Sequence, residues 1–459
     1  MRNLLVAILF LAVGCGRGRG EIHNLPDPDA GVDGVRDAAS VDAADAGARD
    51  ARRGADVGRP DTPEPLPELR DDIASASWRD KVQAVVDSQS LDEYFGSVGY
   101  TLPVGADAYA VRIGQGAGYP SHEFFEAGGG AFDVSFWPAS TIKLLSALGA
   151  LEWVYRQGFT GDARIDWDSG FGDQLRSIYE RAIGVSSNID YDRTLRAAGW
   201  DFMNAEFLTE ERGFPRTVIT SSYASVEVRN PGGYTLSEDG QSKYVAGRPG
   251  VGDYGRNDTD LYELTEGVRR VMLHAEVPED ERFRIDPSDV TALQIALCGA
   301  TPSFFAAGAE QALGSTPVIC HKPGWVPDNE CLDHGLVTAP DGARFLLAGS
   351  VPYSSNCPTL APLARRMLDF LQQAPTRVPM QPDYGDVTVQ VDSDTVSVLV
   401  PGADMIVLWE AGEEVARTTL GDRGHFVVPH AVVGTVLLSV AAYKQGTPSA
   451  FRAGFVTGP

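Results

Sequence analysis

The sequence predicts an α+β protein that carries a small all-β sandwich at its C-terminal end. Three observations lead there: an apolar helical stretch from Ile142 to Val154, a strand-like hairpin running from Val318 to Val351, and short alternating runs beyond Asp386.

In chain order, Met1-Arg2 precede an apolar run from Leu4 to Val13 and then Gly14-Cys15. Such a run reads as a secretory signal, too short to cross a membrane as a mature helix. Ala12-Val13-Gly14-Cys15 resembles a bacterial lipobox, with alanine where leucine is commoner. Residues 1–15 are therefore expected to be a lipoprotein signal and Cys15 its lipidation site, with ordinary signal cleavage nearby as the alternative. The protein would be exported and membrane-anchored, in the periplasm, at the outer membrane or on the cell surface. Residues 16–75 are mostly Asp, Ala, Gly, Arg and Pro. They bury too little apolar surface to offset ordering entropy, so a disordered tether is expected. A formal net charge of −25 argues against nucleic acid and against anionic membrane surfaces as partners.

A catalytic domain is expected over 76–375. Trp78 to Gly96 reads as its leading helix, and Ala108–Ile113 and Ala131–Ser135 as strands. Ile142, Leu144, Leu145, Leu148, Leu151 and Val154 make the next helix a buried one. Helical patterns dominate from Thr160 to Leu208, and Asn257-Asp258-Thr259 open an amphipathic helix from Leu261 to Leu273. Between them, Ile219 to Arg256 is rich in Gly, Ser, Tyr and Asn, with a hairpin expected about Pro231-Gly232-Gly233. Val318–Val326, Asp333–Val337 and Arg344–Val351 form the strand hairpin and a core strand. Residues 376–459 are assigned to the β-sandwich, from runs such as Val387-Val389-Val391, Val396-Val398-Val400 and Val436 to Ala442.

Apart from Cys15, the cysteines are Cys298, Cys320, Cys331 and Cys357. An even number in an exported chain suggests two disulfides. Cys320 with Cys331 across the hairpin turn is the simplest choice, leaving Cys298 with Cys357, although all three pairings stay open. The cysteines lack the close paired spacing of a zinc site, so no metal is expected, and no cofactor is expected either.

Ser140-Thr141-Ile142-Lys143 is the sharpest chemical signal. Positions i and i+3 share a helix face, so the amine can approach the hydroxyl, and burial favours its neutral form. A neutral amine beside a hydroxyl is a base beside a nucleophile. Ser186-Ser187-Asn188 and then His321-Lys322-Pro323-Gly324-Trp325 follow in order. Ser354-Ser355-Asn356 and Lys444-Gln445-Gly446 match the short patterns too, but the first lies beyond the Lys-x-Gly strand and the second within the expected sandwich.

With Ser-x-x-Lys, Ser-x-Asn and Lys-x-Gly in this order, the stretch from Trp78 to Leu371 resembles the class A β-lactamase-like serine hydrolases, within the penicillin-recognising serine enzymes. The resemblance implies an αβα sandwich of β-lactamase/transpeptidase type around an antiparallel sheet. It implies Ser140 as nucleophile, Lys143 as base, Ser186 as proton donor to the leaving nitrogen, and Asn188, Lys322, Gly324 and Trp325 as substrate-binding. The backbone N–H groups of Ser140 and Trp325 would form the oxyanion hole. Two departures stand out. Pro323 replaces the hydroxyl residue usual between Lys and Gly. The Glu-x-x-Leu-Asn motif of the deacylating glutamate is missing, and Glu227-Val228-Arg229-Asn230 is only an approximation one residue out of register, so Glu227 is the candidate base and Glu238 a weaker one.

The leading expectation is a hydrolase opening a β-lactam amide through an acyl-enzyme on Ser140. The alternatives are a D-Ala-D-Ala carboxypeptidase or esterase using the same nucleophile, and a non-catalytic surface lipoprotein whose C-terminal module touches the cell wall. The expected partners are a small β-lactam or a peptidoglycan stem peptide, and a membrane through the lipid anchor.

Overall fold

A computed structural model describes residues 68–114, 119–224, 232–248, 256–327, 329–374 and 380–459. The signal, Cys15, nearly all of the tether and Glu227 lie outside these. The described residues belong to one unit, Pro65–Pro459.

Helices α1 (Trp78–Val85) and α2 (Ser90–Ser97) come first. The sequence reads them as one helix; Asp87 breaks it. Its N–H donates to Phe124 O at 2.9 Å, and its carboxylate accepts from Gln89 N and Ser90 N at 3.0 and 2.8 Å, so it pins the chain and starts α2. Strand β1 (Asp107–Gly114) matches expectation, but its partner is β2 (Ser121–Ala127) rather than Ala131–Ser135. Both edges of β1 are already taken, by β2 and by a later strand, which leaves Ala131–Ser135 as a loop with Ala131 and Phe132 buried.

A 3-10 turn (Ala139–Ile142) leads into α3 (Lys143–Arg156). Leu144, Leu145, Leu148 and Leu151 are all buried, each contributing about 1.5–3 kcal/mol. Strands β3 (Arg164–Trp167) and β4 (Gly172–Gln174) precede α4 (Leu175–Gly184), α5 (Asn188–Ala198) and α6 (Trp200–Phe202). Strands β5 (Tyr234–Glu238) and β6 (Gln241–Val245) complete a small sheet of order β4-β3-β5-β6. Their hairpin turn is Asp239-Gly240, both with positive φ, and the turn expected about Pro231-Gly232-Gly233 begins outside the described residues. Asp-Gly is the usual signature of that turn, so the signal was present in the sequence.

After α7 (Leu261–Met272), α8 (Pro287–Cys298) and α9 (Ala306–Leu313) come β7 (Val318–Val326), β8 (Glu330–Thr338), β9 (Arg344–Pro352) and α10 (Leu360–Gln373). The main sheet is antiparallel with order β2-β1-β9-β8-β7, which makes β7 an edge strand. One face packs Tyr109, Val111, Leu332, Leu336 and Leu346 against the α3 and α7 side. The other packs Ala108, Ala110, Val337 and Leu347 against α2, α9 and α10. The result is the expected α+β arrangement of three layers.

The remaining strands are β10 (Thr388–Val391), β11 (Thr395–Leu399), β12 (Met405–Glu410), β13 (Glu413–Thr418), β14 (Gly421–Asp422), β15 (His425–Pro429), β16 (Thr435–Lys444) and β17 (Thr447–Thr457). They form two four-stranded sheets, β10-β11-β15-β14 and β13-β12-β16-β17. Val389, Val398 and Phe426 of the first meet Ile406, Leu408 and Val440 of the second. Residues expected in the tether also join this core: Ile73 is buried, and Ala74 bridges to Phe455.

The disulfides are Cys298–Cys320 and Cys331–Cys357, not the pairing favoured from the sequence. On the hairpin ladder Cys320 stands opposite Leu336 and Cys331 opposite Trp325. At the usual rise that separates them by roughly 17 Å, far beyond disulfide reach, and they project to opposite sheet faces. Peptide mapping without reduction is expected to recover Cys298–Cys320 and Cys331–Cys357; a Cys320–Cys331 peptide would contradict this register. Changing Cys331 and Cys357 together to alanine opens a link with a sequence separation of 26 and should lower stability by about 3 kcal/mol, read from chemical denaturation.

Candidate active site

Ser140 sits in the 3-10 turn that starts the buried helix α3. The turn is tight: Thr141 N donates to Pro138 O at 3.0 Å, and the Thr141 hydroxyl donates to the same carbonyl. Ala139, just before the nucleophile candidate, has φ of 48°, a left-handed conformation unusual for a residue with a side chain. Lys143 follows one turn later, fully buried.

The Lys143 amine donates to Ser186 O at 2.6 Å, Ser186 Oγ at 3.1 Å and Asn188 Oδ1 at 2.6 Å. Its hydrogen bonds thus go to the second motif and not to the Ser140 hydroxyl. Catalytic contacts are often loose before substrate binds, so this spacing leaves the base role open to it. Burial pushes the amine down to about 7, opposed by the nearby carboxylate of Asp192. Ser186 takes its place through a left-handed φ of 59°, while Ser187 caps α5 by accepting from Asp190 N at 3.2 Å. Asn188 is the first residue of that helix, which packs along α3.

Lys322 arrives from β7, also fully buried. Its amine donates to Ser186 Oγ at 3.1 Å and to Pro323 O at 3.0 Å. Burial, and then the charge of Lys143, push it down to about 7, with Asp333 acting the other way. Two lysine amines therefore meet at one hydroxyl. When Lys143 is neutral, its two N–H bonds satisfy Ser186 O and Asn188 Oδ1 and leave its lone pair for a proton from Ser140; once protonated, its third N–H can donate to Ser186 Oγ. Ser186 then links the two amines in a proton path.

Gly324 is where β7 touches the nucleophile turn. A Cβ there would lie 2.9 Å from both Ser140 N and Thr141 N. The resemblance implies a substrate-binding role for this glycine; the structure gives a nearer cause in the protein's own backbone. Pro323 is accommodated because β7 is an edge strand, which tolerates a residue without N–H. Trp325 is 41% exposed and meets Phe304 edge-on at 6.0 Å.

Behind the strand, His321 Nδ1 bonds Asp333 Oδ1 at 2.8 Å and Nε2 contacts Ala300 O at 3.2 Å, while Phe304 N donates to Asp333 Oδ2 at 3.0 Å. Both acceptors favour a doubly protonated ring: burial lowers its pKa, but Asp333 and Ala300 O raise it overall. His334 stands opposite Lys322 in the ladder, and burial lowers it to about 4. Neither histidine hydrogen-bonds Ser140.

Glu227 lies outside the described residues. Glu238 is engaged elsewhere, accepting from Thr160 N at 2.8 Å and from the Thr160 hydroxyl. The motifs gave no hint of Asp192 and Tyr223, which act on Lys143, or of Trp137 and Tyr191, which pack on Tyr223. No short pattern marks them, since they come from three separate segments.

No family model matches this sequence, and no curated protein does. Among solved structures, similarity is found to PBP-A, at 18% identity over 61% of this chain and 94% of that one, with a TM-score of 0.44. The TLA-1 extended-spectrum β-lactamase is similar at 13% identity over 62% of this chain and 99% of its own, with a TM-score of 0.45. A β-lactamase from Burkholderia vietnamiensis is similar at 14% identity, 66% and 99% coverage and a TM-score of 0.43.

Proposed function

We propose that this protein is a serine hydrolase of class A β-lactamase type, in which Ser140 is acylated by a strained cyclic amide. The observation that carries the reading is the convergence of Lys143 and Lys322 on the Ser186 hydroxyl beside the Ser140 turn.

In this reading, neutral Lys143 removes the proton from Ser140 Oγ as that oxygen attacks the carbonyl carbon. The carbonyl oxygen gains negative charge, and the N–H groups of Ser140 and Trp325 receive it. As the C–N bond breaks, Ser186 Oγ gives its proton to the departing nitrogen and is reprotonated from the adjacent lysine. Protonated Lys322 attracts the substrate carboxylate, and Asn188 fixes both Lys143 and the acyl amide. Water then cleaves the ester and regenerates Ser140.

A D-Ala-D-Ala peptidase or esterase with the same nucleophile is the second reading. The missing Glu-x-x-Leu-Asn motif favours it, because without a deacylating glutamate the acyl-enzyme would be long-lived. Export through the N-terminal signal and lipidation of Cys15 belong to the same proposal, supported by the sequence patterns alone, whereas wall contact by the C-terminal sheets belongs to the alternative of a non-catalytic surface lipoprotein.

Intact-mass measurement of the chain from residue 68 onward with excess benzylpenicillin tests this. A penicilloyl adduct that forms and clears indicates a β-lactamase, a persistent one the peptidase, and Ser140→Ala should show neither adduct nor turnover. Retained turnover in that variant would falsify the assignment. The acylation rate should follow a bell-shaped pH profile centred near neutrality. Lys143 must lose its proton to act as base, so the rate rises through its pKa of about 7; Lys322 must keep its own, so the rate falls as that group titrates. A profile that climbs steadily to pH 10 would contradict the paired amines. Gly324→Ala should slow acylation by about tenfold or more, because the added methyl pushes β7 from the Ser140 turn, while thermal stability falls only modestly.

A further inference from the structure

One wall of the site comes from a segment that none of the three motifs touches. The backbone N–H groups of Tyr223 and Ala224 donate to the two carboxylate oxygens of Asp192 at 2.7 and 2.8 Å, tying this segment to α5. The Tyr223 hydroxyl donates to Ala139 O at 2.8 Å and accepts from Trp137 Nε1 at 3.1 Å. Its ring stacks on Tyr191 with centroids 4.6 Å apart and lies 5.9 Å from Lys143 Nζ. Asn257 Nδ2 in turn holds the Tyr191 hydroxyl at 2.9 Å.

These contacts fall on the two features the nucleophile needs. Ala139 holds a left-handed φ that an alanine peptide abandons when nothing opposes it, and its carbonyl is anchored by Tyr223. Lys143 needs a dry surrounding to stay neutral, and the Tyr223 ring covers one side of it. We infer that Tyr223 is a positioning residue for acylation at Ser140: its hydroxyl locks the Ala139 turn that presents the nucleophile, and its ring keeps water from the Lys143 amine. The inference rests on the function proposed above. With its hydroxyl proton given to Ala139 O, Tyr223 is a clamp rather than a base.

The groups acting on Lys143 are Asp192 and Asn188 from α5, Ser186 just before it, Lys322 from β7, and Tyr223, whose ring is backed by Tyr191; Glu330 acts on Tyr223, and Asp333 on Lys322. Two opposed effects of the Tyr223 ring must be weighed. As a π face, 5.9 Å from the amine, it favours the charged form. As a cover it favours the neutral amine, and burial is the first cause of the depression from 10.5 to about 7. The cover wins, so opening this wall moves the Lys143 titration upward.

The test uses Tyr223→Phe and Tyr223→Ala, each measured for acylation rate per folded molecule. In parallel, the pH titration of the Lys143 amine is followed by lysine side-chain NMR, assigned with Lys143→Arg. Tyr223→Phe keeps the ring and loses the anchor: acylation is expected to fall about tenfold with the Lys143 titration unmoved. Tyr223→Ala loses both: acylation falls further, and the Lys143 titration shifts to higher pH together with the acid limb of the rate profile. Lower thermal stability with rate and titration as in the parent protein would reduce Tyr223 to packing and overturn the inference. If the parent chain forms no adduct at Ser140, the proposed function fails. The NMR arm still decides the cover: an unshifted Lys143 in Tyr223→Ala overturns it, and an upward shift sustains it.

Discussion

Two buried amines share one hydroxyl, and most of the surrounding architecture serves to hold them there. A lysine head group leaves water at a cost of several kcal/mol, and that cost falls when it sheds its proton or finds acceptors. Both responses are present: each amine is pushed toward neutrality, and each has carbonyl or hydroxyl acceptors. Bringing them together requires α3, the Ser186 turn and β7 to be pressed into contact. Gly324 permits this on the strand side, where any side chain would collide with the backbone of the nucleophile turn.

Backbone strain gathers at the same place. Ala139 and Ser186 both adopt positive φ, conformations costing of order 1–3 kcal/mol each when unsupported. Each is over-determined by its neighbours. Ala139 is flanked by the Pro138 turn and anchored by Tyr223, and Ser186 stands directly before the Ser187 cap of α5. The Cys298–Cys320 disulfide ties β7 to α8 on the face that carries Lys322, and on the other face Asp333 bonds both His321 and Phe304 N. The strand that carries Lys322 is thus braced on both faces.

The C-terminal sheets are less separate than their sequence suggests. In the sheet containing β12, β16 and β17, one face carries Ile406, Leu408 and Val440 into the sandwich core. The opposite face carries Val407, Trp409, Leu437 and Phe451 into the core shared with Trp78 and α3. Being covered on both sides explains why β12 and β16 read as continuous apolar runs, whereas β11 alternates. Lys81 of α1 also pairs with Asp383 at 2.6 Å, across the same junction.

What the sequence determined by itself was local and periodic. The Val318–Val326 strand, the apolar face of α3 and the amphipathic α7 follow from patterns within a few residues, as does the order of the three motifs, although the cap of α7 is Asp260 and not Asn257-Asp258-Thr259. Long-range register was decided only in the folded chain. The disulfide pairing turned on which face of the hairpin each cysteine occupies, and the failure of Ala131–Ser135 to form a strand turned on β1 having no free edge. The wall formed by Trp137, Tyr191 and Tyr223 could not be read from spacing, because its members come from separate segments joined through Asp192 and Ala139 O. Motifs record residues that local geometry holds together; a side chain that dries an amine from across the fold leaves no pattern in the chain, since only tertiary packing brings the two into contact.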